Sequence, residues 1–257
     1  MNLRFKWILL RGLGRGHGHW GSFAEKVQRA YPEDKFYFVD LPGNGSLNFE
    51  ESPLQIHRYV SSLEQQLIKA DFFHHGGTTI GIGLSLGGMV MTEWARIHHQ
   101  RFEKIFLINS SAANFSYPWE RISWLVLSTS LKQIGTSNIE VFETNSLLVT
   151  TSLTKEQLQN EFRNDLLHNT AFTEKFPITV KNIIRQTIAA ARYTFPLKSP
   201  VPAVILVGSK DRFVRPACSY AIQKTWNCKM NVHPTAGHDI AFEDPNWVIQ
   251  TIGLHRN

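Results

Sequence analysis

The chain has 257 residues, 42% of them hydrophobic and 19% charged, and 27 basic residues against 21 acidic ones give a formal net charge of +6. This length can bury a large single core, and the composition is that of an ordinary folded protein, which excludes a disordered or fibrous chain. The longest early apolar run, Trp7 to Leu10, is too short for a signal-peptide core or a membrane span. No recognised nucleic-acid-binding motif accompanies the positive charge. We therefore expect no stable membrane insertion and no nucleic-acid partner.

The chain has two cysteines, Cys218 and Cys228. Reduced thiols are the default interpretation for so few cysteines, although a disulfide between them stays open. Together with the missing signal-peptide core, this cysteine usage favours a cytoplasmic protein.

Strand and helix patterns alternate along most of the chain. Such alternation with short crossovers predicts a mostly parallel sheet of about six strands with helices on both faces. Apolar periodicity gives these elements in order: strand 5–10, helix from about 22, strand 36–40, helix 53–70, strand 78–84, helix 88–99, strand 105–110, a strand near 201–207, helix 216–226, strand 229–233 and a terminal helix from 245.

The alternation stops between Asn114 and about Ser199. Three stretches there have helical periodicity: Ile122–Leu131, Thr154–His168 and Ile178–Tyr193. A segment of this length is too long for a bare loop. We therefore predict a core formed by 1–113 and 200–257, with a helical cap at 114–199.

The run Gly83-Leu84-Ser85-Leu86-Gly87 spells G-x-S-x-G between a predicted strand and a predicted helix. This is the context of a nucleophile elbow, in which a sharp turn lifts the serine hydroxyl to the strand tip. The flanking glycines suit such a turn because side chains at Gly83 and Gly87 would crowd it. Ser85 is therefore the candidate nucleophile, and the backbone N–H of Leu86 is a candidate oxyanion donor.

A nucleophilic serine needs a base, and the base needs an orienting acid. Asp211 and His238 each lie in a loop directly after a predicted strand, in the chain order Ser, Asp, His. The loop after strand 105–110 reads Asn109-Ser110-Ser111 and offers no alternative acid. His233 competes as the base but falls at its strand end, and Asp239 is expected to point away from its neighbour His238.

Two further segments resemble the α/β-hydrolase superfamily. Val39 to Ser46 is similar to its D-x-P-G-x-G-x-S segment, and Arg11-Gly12 followed by Trp20 is similar to its H-G-x7-W segment. With the elbow, these segments make the chain most similar to small cap-bearing serine esterases of the group that includes the biotin-pathway carboxylesterase. The resemblance implies an α/β-hydrolase fold and a second oxyanion donor, the backbone N–H of Leu13.

The chain departs from that family pattern at two points. Arg11 replaces the usual histidine before Gly12, which changes the local hydrogen bonding. The usual N-terminal β-hairpin is expected to be missing, because the first predicted strand begins almost at Met1. Neither departure removes a predicted triad residue.

Other residues near these motifs are candidates for binding. Gly16-His17-Gly18-His19 offers two histidines without a nearby Cys or Asp to complete a ligand set, so we expect no metal. Arg15 and His17 are instead candidate substrate contacts from a loop at the pocket mouth. Trp119 and Trp124 would line an apolar pocket, or else pack within the cap.

Basic residues cluster late in the predicted cap. Lys181, Arg185 and Arg192 have the spacing of one helical face. This face is either simply solvated or attracts an anionic substrate or an acidic carrier protein.

Together these features predict a serine hydrolase that cleaves an ester or thioester of a small to medium acyl group through an acyl-enzyme on Ser85, with no cofactor. Two alternatives remain at this point. The same triad serves lyases and carbon–carbon bond hydrolases, and the fold also occurs in non-catalytic binding proteins.

Overall fold

The computed structural model describes residues 4–74, 76–123, 128 and 138–256. Six strands in these ranges form one sheet in the order β2-β1-β3-β4-β5-β6, and every neighbouring pair is parallel. The expectation of a mostly parallel sheet is thus confirmed, with no antiparallel pair among the described strands. The strands are β1 (Phe5–Leu10), β2 (Lys35–Val39), β3 (Thr78–Leu84), β4 (Lys104–Ile108), β5 (Ala203–Gly208) and β6 (Lys229–His233).

The helices follow the strands in nearly the predicted order. α3 begins at Leu86 rather than 88, directly after the elbow serine. The helices are α1 (Ser22–Ala30), α2 (His57–Lys69), α3 (Leu86–Ile97), α4 (Pro118–Arg121), α5 (Ile139–Thr150), α6 (Lys155–Asn160), α7 (Arg163–Lys175), α8 (Val180–Arg192), α9 (Pro216–Trp226), α10 (Ile240–Glu243) and α11 (Pro245–His255). Within the described ranges, none of them combines the length and the apolar character needed to cross a membrane.

The sheet is buried on both faces. Along β1, Ile8 and Leu10 belong to one apolar layer, whereas Trp7 and Leu9 belong to the other. Successive side chains of a strand point to opposite faces, so a strand covered on both sides is apolar throughout. This double burial fixes the carboxyl ends of the strands, which carry the site.

The helices between β4 and β5 differ in part from the prediction. The single helix expected over Thr154–His168 is two helices, α6 and α7, which meet where Phe162 packs near Phe242. α5 was not predicted, because Glu143 and Thr144 are buried on it beside Phe142 and Leu147 and obscure its apolar periodicity. α8 agrees with the predicted helix at 178–193 to within a few residues. Most of the helix predicted at 122–131 lies outside the described residues.

Candidate active site

Ser85 lies in a strained turn between β3 and α3. Its backbone has φ 56° and ψ −117°, a left-handed conformation that L-residues rarely adopt. A Cβ at Gly83 would lie 2.5 Å from the carbonyl oxygen of Gly87, and one at Gly87 would lie 2.4 Å from that of Leu10. The two glycines are therefore needed for close backbone approach, and the turn has the geometry of a nucleophile elbow.

Asp211 and His238 form a buried hydrogen-bonded pair. His238 Nδ1 and Asp211 Oδ2 are 2.6 Å apart. The other carboxylate oxygen of Asp211 accepts the backbone N–H of Phe213 at 2.8 Å and that of Val214 at 2.9 Å. The carboxylate is thus fixed by its own loop, and it in turn fixes the imidazole. Ser85 and His238 line one cavity, so the structure brings the three predicted triad residues to one place.

The loop carrying His238 is anchored by Asn109. The sequence analysis noted this residue only because its loop contains no acid that could replace Asp211. Asn109 Nδ2 donates to the backbone carbonyl of His238 at 2.7 Å, and its Oδ1 accepts the backbone N–H of Gly208 at 2.9 Å. Asn109 thereby joins the end of β4 to the last residue of β5 and to the loop after β6. Its left-handed backbone, φ 47°, is a conformation that asparagine tolerates better than most residues.

His233, the competing base, has a different environment. Its Nδ1 accepts the backbone N–H of Ala236 at 2.8 Å and that of Thr235 at 3.2 Å, and its Nε2 lies 3.2 Å from Asp244. These contacts hold the turn before His238. His233 therefore stabilises that loop, and it does not line the cavity at Ser85.

Arg11 forms a buried ion pair with Asp239. Its two terminal nitrogens donate to the two carboxylate oxygens at 2.9 and 2.5 Å. Burial alone would raise the pKa of Asp239, but the charge and hydrogen bonds of Arg11 outweigh it and hold that pKa below its ordinary value. The hydrogen-bond partner of Asp239 is thus the arginine that replaces the family histidine. The pair therefore joins the loop after β1 to the loop that carries His238.

Each of the two predicted oxyanion donors borders a cavity that Ser85 also lines. Leu13 lines it beside Ser85, and Leu86 is the first residue of α3. Within the described ranges, neither backbone N–H has an acceptor among the hydrogen bonds of the chain. Both are thus available to a ligand, and the α3 N-terminus adds a favourable field for negative charge.

The loop that carries Leu13 is held from the region between β4 and β5. Gly14 N–H donates to Gln186 Oε1 at 2.9 Å, and the Gln186 amide nitrogen donates to Asn44 Oδ1 at 2.7 Å. Gln186 lies on α8 and is fully buried. Nothing in the sequence signals this long-range contact.

Arg15 also makes a long-range contact, with Glu143 of α5 at 2.8 Å. Thr173 of α7 donates to the same carboxylate at 2.7 Å, and His19 lies 3.7 Å from it. Burial would raise the pKa of Glu143, but Arg15, His19 and Thr173 outweigh it and lower that pKa to about 2. Burial, reinforced by the nearby charge of Arg15, lowers the pKa of His19 to about 4. This cluster therefore contains an ionised Glu143 and a neutral His19 near pH 7.

The remaining predicted substrate contacts differ in position. Arg15 does line the cavity at Ser85. His17 instead pairs with Asp40, at 2.7 Å, and packs against Phe172. Trp119 is 63% exposed, stacks on Tyr117 and borders a cleft that Ser85 does not line. Trp124 lies outside the described residues.

Two apolar compartments meet at Ser85, with Leu13 and Phe213 bordering both. The first has a volume of about 90 Å³ and is lined by His238 together with Phe142, Ile178 and Ile183. The second has a volume of about 170 Å³ and is lined by Leu86, Met89, Ile122 and Ala190. We call them the histidine compartment and the distal compartment.

The basic face of α8 is partly neutralised. Lys181 and Arg185 both pair with Glu51, with Arg185 Nη1 and Glu51 Oε1 2.7 Å apart. Arg192 is exposed at the end of the helix. These contacts favour the solvated interpretation of this face.

The described residues also show whether the chain could hold a metal ion and whether its two cysteines are paired. They contain no group of three or more His, Cys, Asp or Glu side chains placed to hold a metal ion. Cys218 and Cys228 are free, and burial raises the pKa of each thiol to about 11, so both stay protonated near neutral pH.

Comparison with known proteins identifies the family. A model of the alpha/beta hydrolase family matches residues 7–251, and the chain belongs to this family. Over 133 residues it is 30% identical to the pimeloyl-[acyl-carrier protein] methyl ester esterase of Vibrio vulnificus strain YJ016. That match covers 50% of this chain and 46% of the relative, so the chain spans about half the length of the curated relatives it matches.

Solved structures of the same fold cover nearly the whole chain. A thermophilic esterase from Thermogutta terrifontis superposes with a TM-score of 0.73 at 17% identity, covering 99% of this chain and 90% of that one. An esterase from Exiguobacterium antarcticum superposes with a TM-score of 0.72 at 13% identity, covering 99% and 92%. The predicted α/β-hydrolase fold is therefore confirmed.

Proposed function

We propose that this protein is a serine esterase that hydrolyses carboxylic esters of small to medium acyl groups. Ser85 Oγ attacks the ester carbonyl, His238 takes the hydroxyl proton, and Asp211 holds the imidazole. The developing oxyanion binds the N–H groups of Leu13 and Leu86. The observation that carries this proposal is the strained Ser85 turn opening on the cavity that the hydrogen-bonded His238–Asp211 pair also borders.

The two compartments suggest how the substrate lies. His238 must return its proton to the leaving oxygen, so the alcohol belongs in the histidine compartment. The acyl chain then occupies the distal compartment, whose volume is about 170 Å³ against about 90 Å³ for the other. A small alcohol and a longer acyl chain fit this asymmetry. Water enters after the alcohol leaves and releases the acid from Ser85.

The curated relatives extend the range of substrates to be tested. Their name specifies a methyl ester carried on an acyl carrier protein. A methyl leaving group agrees with a small histidine compartment. We therefore include a carrier-bound methyl ester and an acyl thioester among the substrates.

The proposal is tested with p-nitrophenyl esters graded by acyl length. We expect activity to rise over the first few carbons and then fall, because a closed compartment rewards each added methylene by about 0.8 kcal/mol only until it is full. Ser85→Ala should abolish turnover and labelling by a fluorophosphonate probe while the Tm stays close to that of the wild type. The control is Ser61→Ala, which removes an exposed serine of α2.

Full esterase activity in Ser85→Ala would contradict the nucleophile assignment. A monotonic preference for long chains would contradict the closed acyl compartment. Labelling of Ser85 without turnover of any ester would favour the binding-protein alternative.

A further inference from the structure

The distal compartment contains a charged side chain that the proposed reaction does not use. Arg121, the last residue of α4, lines this compartment together with Ser85. It is the only Asp, Glu, Lys or Arg among the described residues that border the compartment. An apolar cavity with a single cation has the form of a binding site for a chain that ends in an anion.

The contacts of Arg121 leave its charge without an acidic partner. Nη1 donates to the carbonyl of Ala191 at 2.8 Å, Nη2 to that of Ala190 at 2.6 Å, and Nε to Ser111 Oγ at 3.4 Å. A guanidinium carries five N–H donors, and contacts within the described residues use three of them. No carboxylate among the described residues pairs with it, and the stretches 124–127 and 129–137 contain no Asp or Glu.

The immediate surroundings hold the half-buried guanidinium in place but provide no full negative charge among the described residues. Burial lowers the pKa of Arg121 from its ordinary value, although the group stays charged near neutral pH. Ala190 and Ala191 lie in the last turn of α8, where carbonyl groups carry partial negative charge. These carbonyls orient the guanidinium without neutralising it, so a carboxylate ligand would gain a charge-assisted hydrogen bond.

We propose that Arg121 binds a carboxylate at the far end of the acyl chain, which makes half-esters of dicarboxylic acids the preferred substrates. This inference rests on the proposed esterase function and specifies its substrate class. Ser85 Oγ forms a bond to the ester carbonyl carbon as the alcohol leaves with the proton from His238. Water then breaks that acyl bond, and the products are the free dicarboxylate and the alcohol.

The volume of the distal compartment sets the length of the chain. A cavity of about 150 Å³ in another protein accommodates benzene, which has six carbons. By that comparison, a compartment of about 170 Å³ takes an acyl chain of roughly four to six carbons. Succinyl to adipyl half-esters are therefore the appropriate probes.

The kinetic experiment compares monomethyl adipate with methyl hexanoate, which has the same chain length but no charge. For the wild type we expect kcat/KM to favour the charged ester by roughly tenfold to 100-fold, the range of one charge-assisted hydrogen bond. Arg121→Gln should remove this preference, and Arg121→Lys should retain part of it. The control, Arg29→Gln, removes the same charge from an exposed position of α1 and should keep the wild-type ratio.

The ratio of the kcat/KM values for the two esters distinguishes a binding role of Arg121 from a structural one. If Arg121 only supports the end of α8, its replacement lowers kcat/KM for both esters by the same factor, and the inference is wrong. A wild-type enzyme that prefers methyl hexanoate overturns it without any variant. Failure of the wild type to cleave either ester contradicts the proposed esterase function instead.

A binding measurement tests the subsite without turnover. Monomethyl adipate should raise the Tm of Ser85→Ala more than methyl hexanoate does at equal concentration, because this variant leaves both esters uncleaved and a ligand that binds only the folded state stabilises it. The added shift should disappear in the double variant Ser85→Ala, Arg121→Gln. Equal shifts for monomethyl adipate and methyl hexanoate in Ser85→Ala would rule out a carboxylate subsite, even if the esterase reaction is confirmed.

Discussion

Single residues outside the triad hold the loops of this site in place. Arg11 and Asp239 are both buried, and their bidentate contact joins the loop after β1 to the residue that follows His238. A family member with histidine at position 11 cannot make the same two parallel hydrogen bonds. The arginine at position 11 thus has a carboxylate partner, Asp239, far along the chain.

At this scale we predict that Asp239→Ala lowers the free energy of unfolding by about 3–5 kcal/mol, because it leaves the Arg11 charge buried and unpaired. The double variant Arg11→Met, Asp239→Leu should recover much of that loss, since it removes both charges. Urea denaturation measures both effects. The control is the exposed pair Arg29–Glu25, for which Glu25→Ala should cost at most about 1 kcal/mol. A cost for Asp239→Ala no larger than that of Glu25→Ala would show that the buried pair is not a structural requirement.

Helices from the region between β4 and β5 position the oxyanion loop. Gln186 of α8 accepts the N–H of Gly14, and Glu143 of α5 binds Arg15. Both contacts are made by the two residues that directly follow Leu13, the proposed donor. The residues that we propose as a cap, 114–199, would thus both enclose the substrate and hold part of the catalytic backbone.

At the scale of elements we predict that Gln186→Leu lowers kcat by about tenfold, less than the roughly 10²–10³ typical of losing a complete oxyanion donor. The reason is that Gly14 loses its acceptor and Leu13 becomes less well fixed, which weakens an interaction made mainly in the transition state. Steady-state kinetics with a short p-nitrophenyl ester measures the effect. Ile184→Ala, at a half-exposed position of the same helix, should leave kcat unchanged. An unchanged kcat in a folded Gln186→Leu enzyme would disconnect α8 from the oxyanion loop.

The whole molecule should lose stability in acid because of the buried cluster that contains His19 and Glu143. The pKa of His19 is lowered from 6.5 to about 4, so the unfolded chain takes up a proton there before the folded chain does. The pKa of Glu143 is lowered from 4.5 to about 2, with the same sign. The stability that these groups contribute is complete above pH 6.5 and decreases as the pH falls, first through His19 and then through Glu143.

We therefore predict that the free energy of unfolding in urea decreases steadily from pH 7 to pH 4. His19→Gln should reduce the part of this decrease that lies above pH 5, because it removes the group that titrates there. His99→Gln, at an exposed histidine, is the control and should leave the profile unchanged. A wild-type stability that is flat between pH 7 and pH 5 would contradict the assignment of a buried neutral His19.

The sequence by itself determined the order of strands and helices in the core, the elbow at Ser85 and the positions of Asp211 and His238. These features follow from local patterns: apolar runs at strand spacing, glycines at a tight turn, and acid and histidine directly after strands. Each depends on residues close together in the chain, so no knowledge of the packing is needed to recognise it.

Only the tertiary structure decided which polar residues support the site. Asp239 is 228 residues from Arg11, Gln186 is 172 from Gly14, and Asn109 is 129 from His238. A buried polar group must find a partner, but its own sequence neighbourhood does not specify which one. The same reason applies to α5, where Glu143 is buried against apolar expectation because Arg15, His19 and Thr173 surround it. The sheet brings these distant loops to one edge, and their pairing there follows from that proximity.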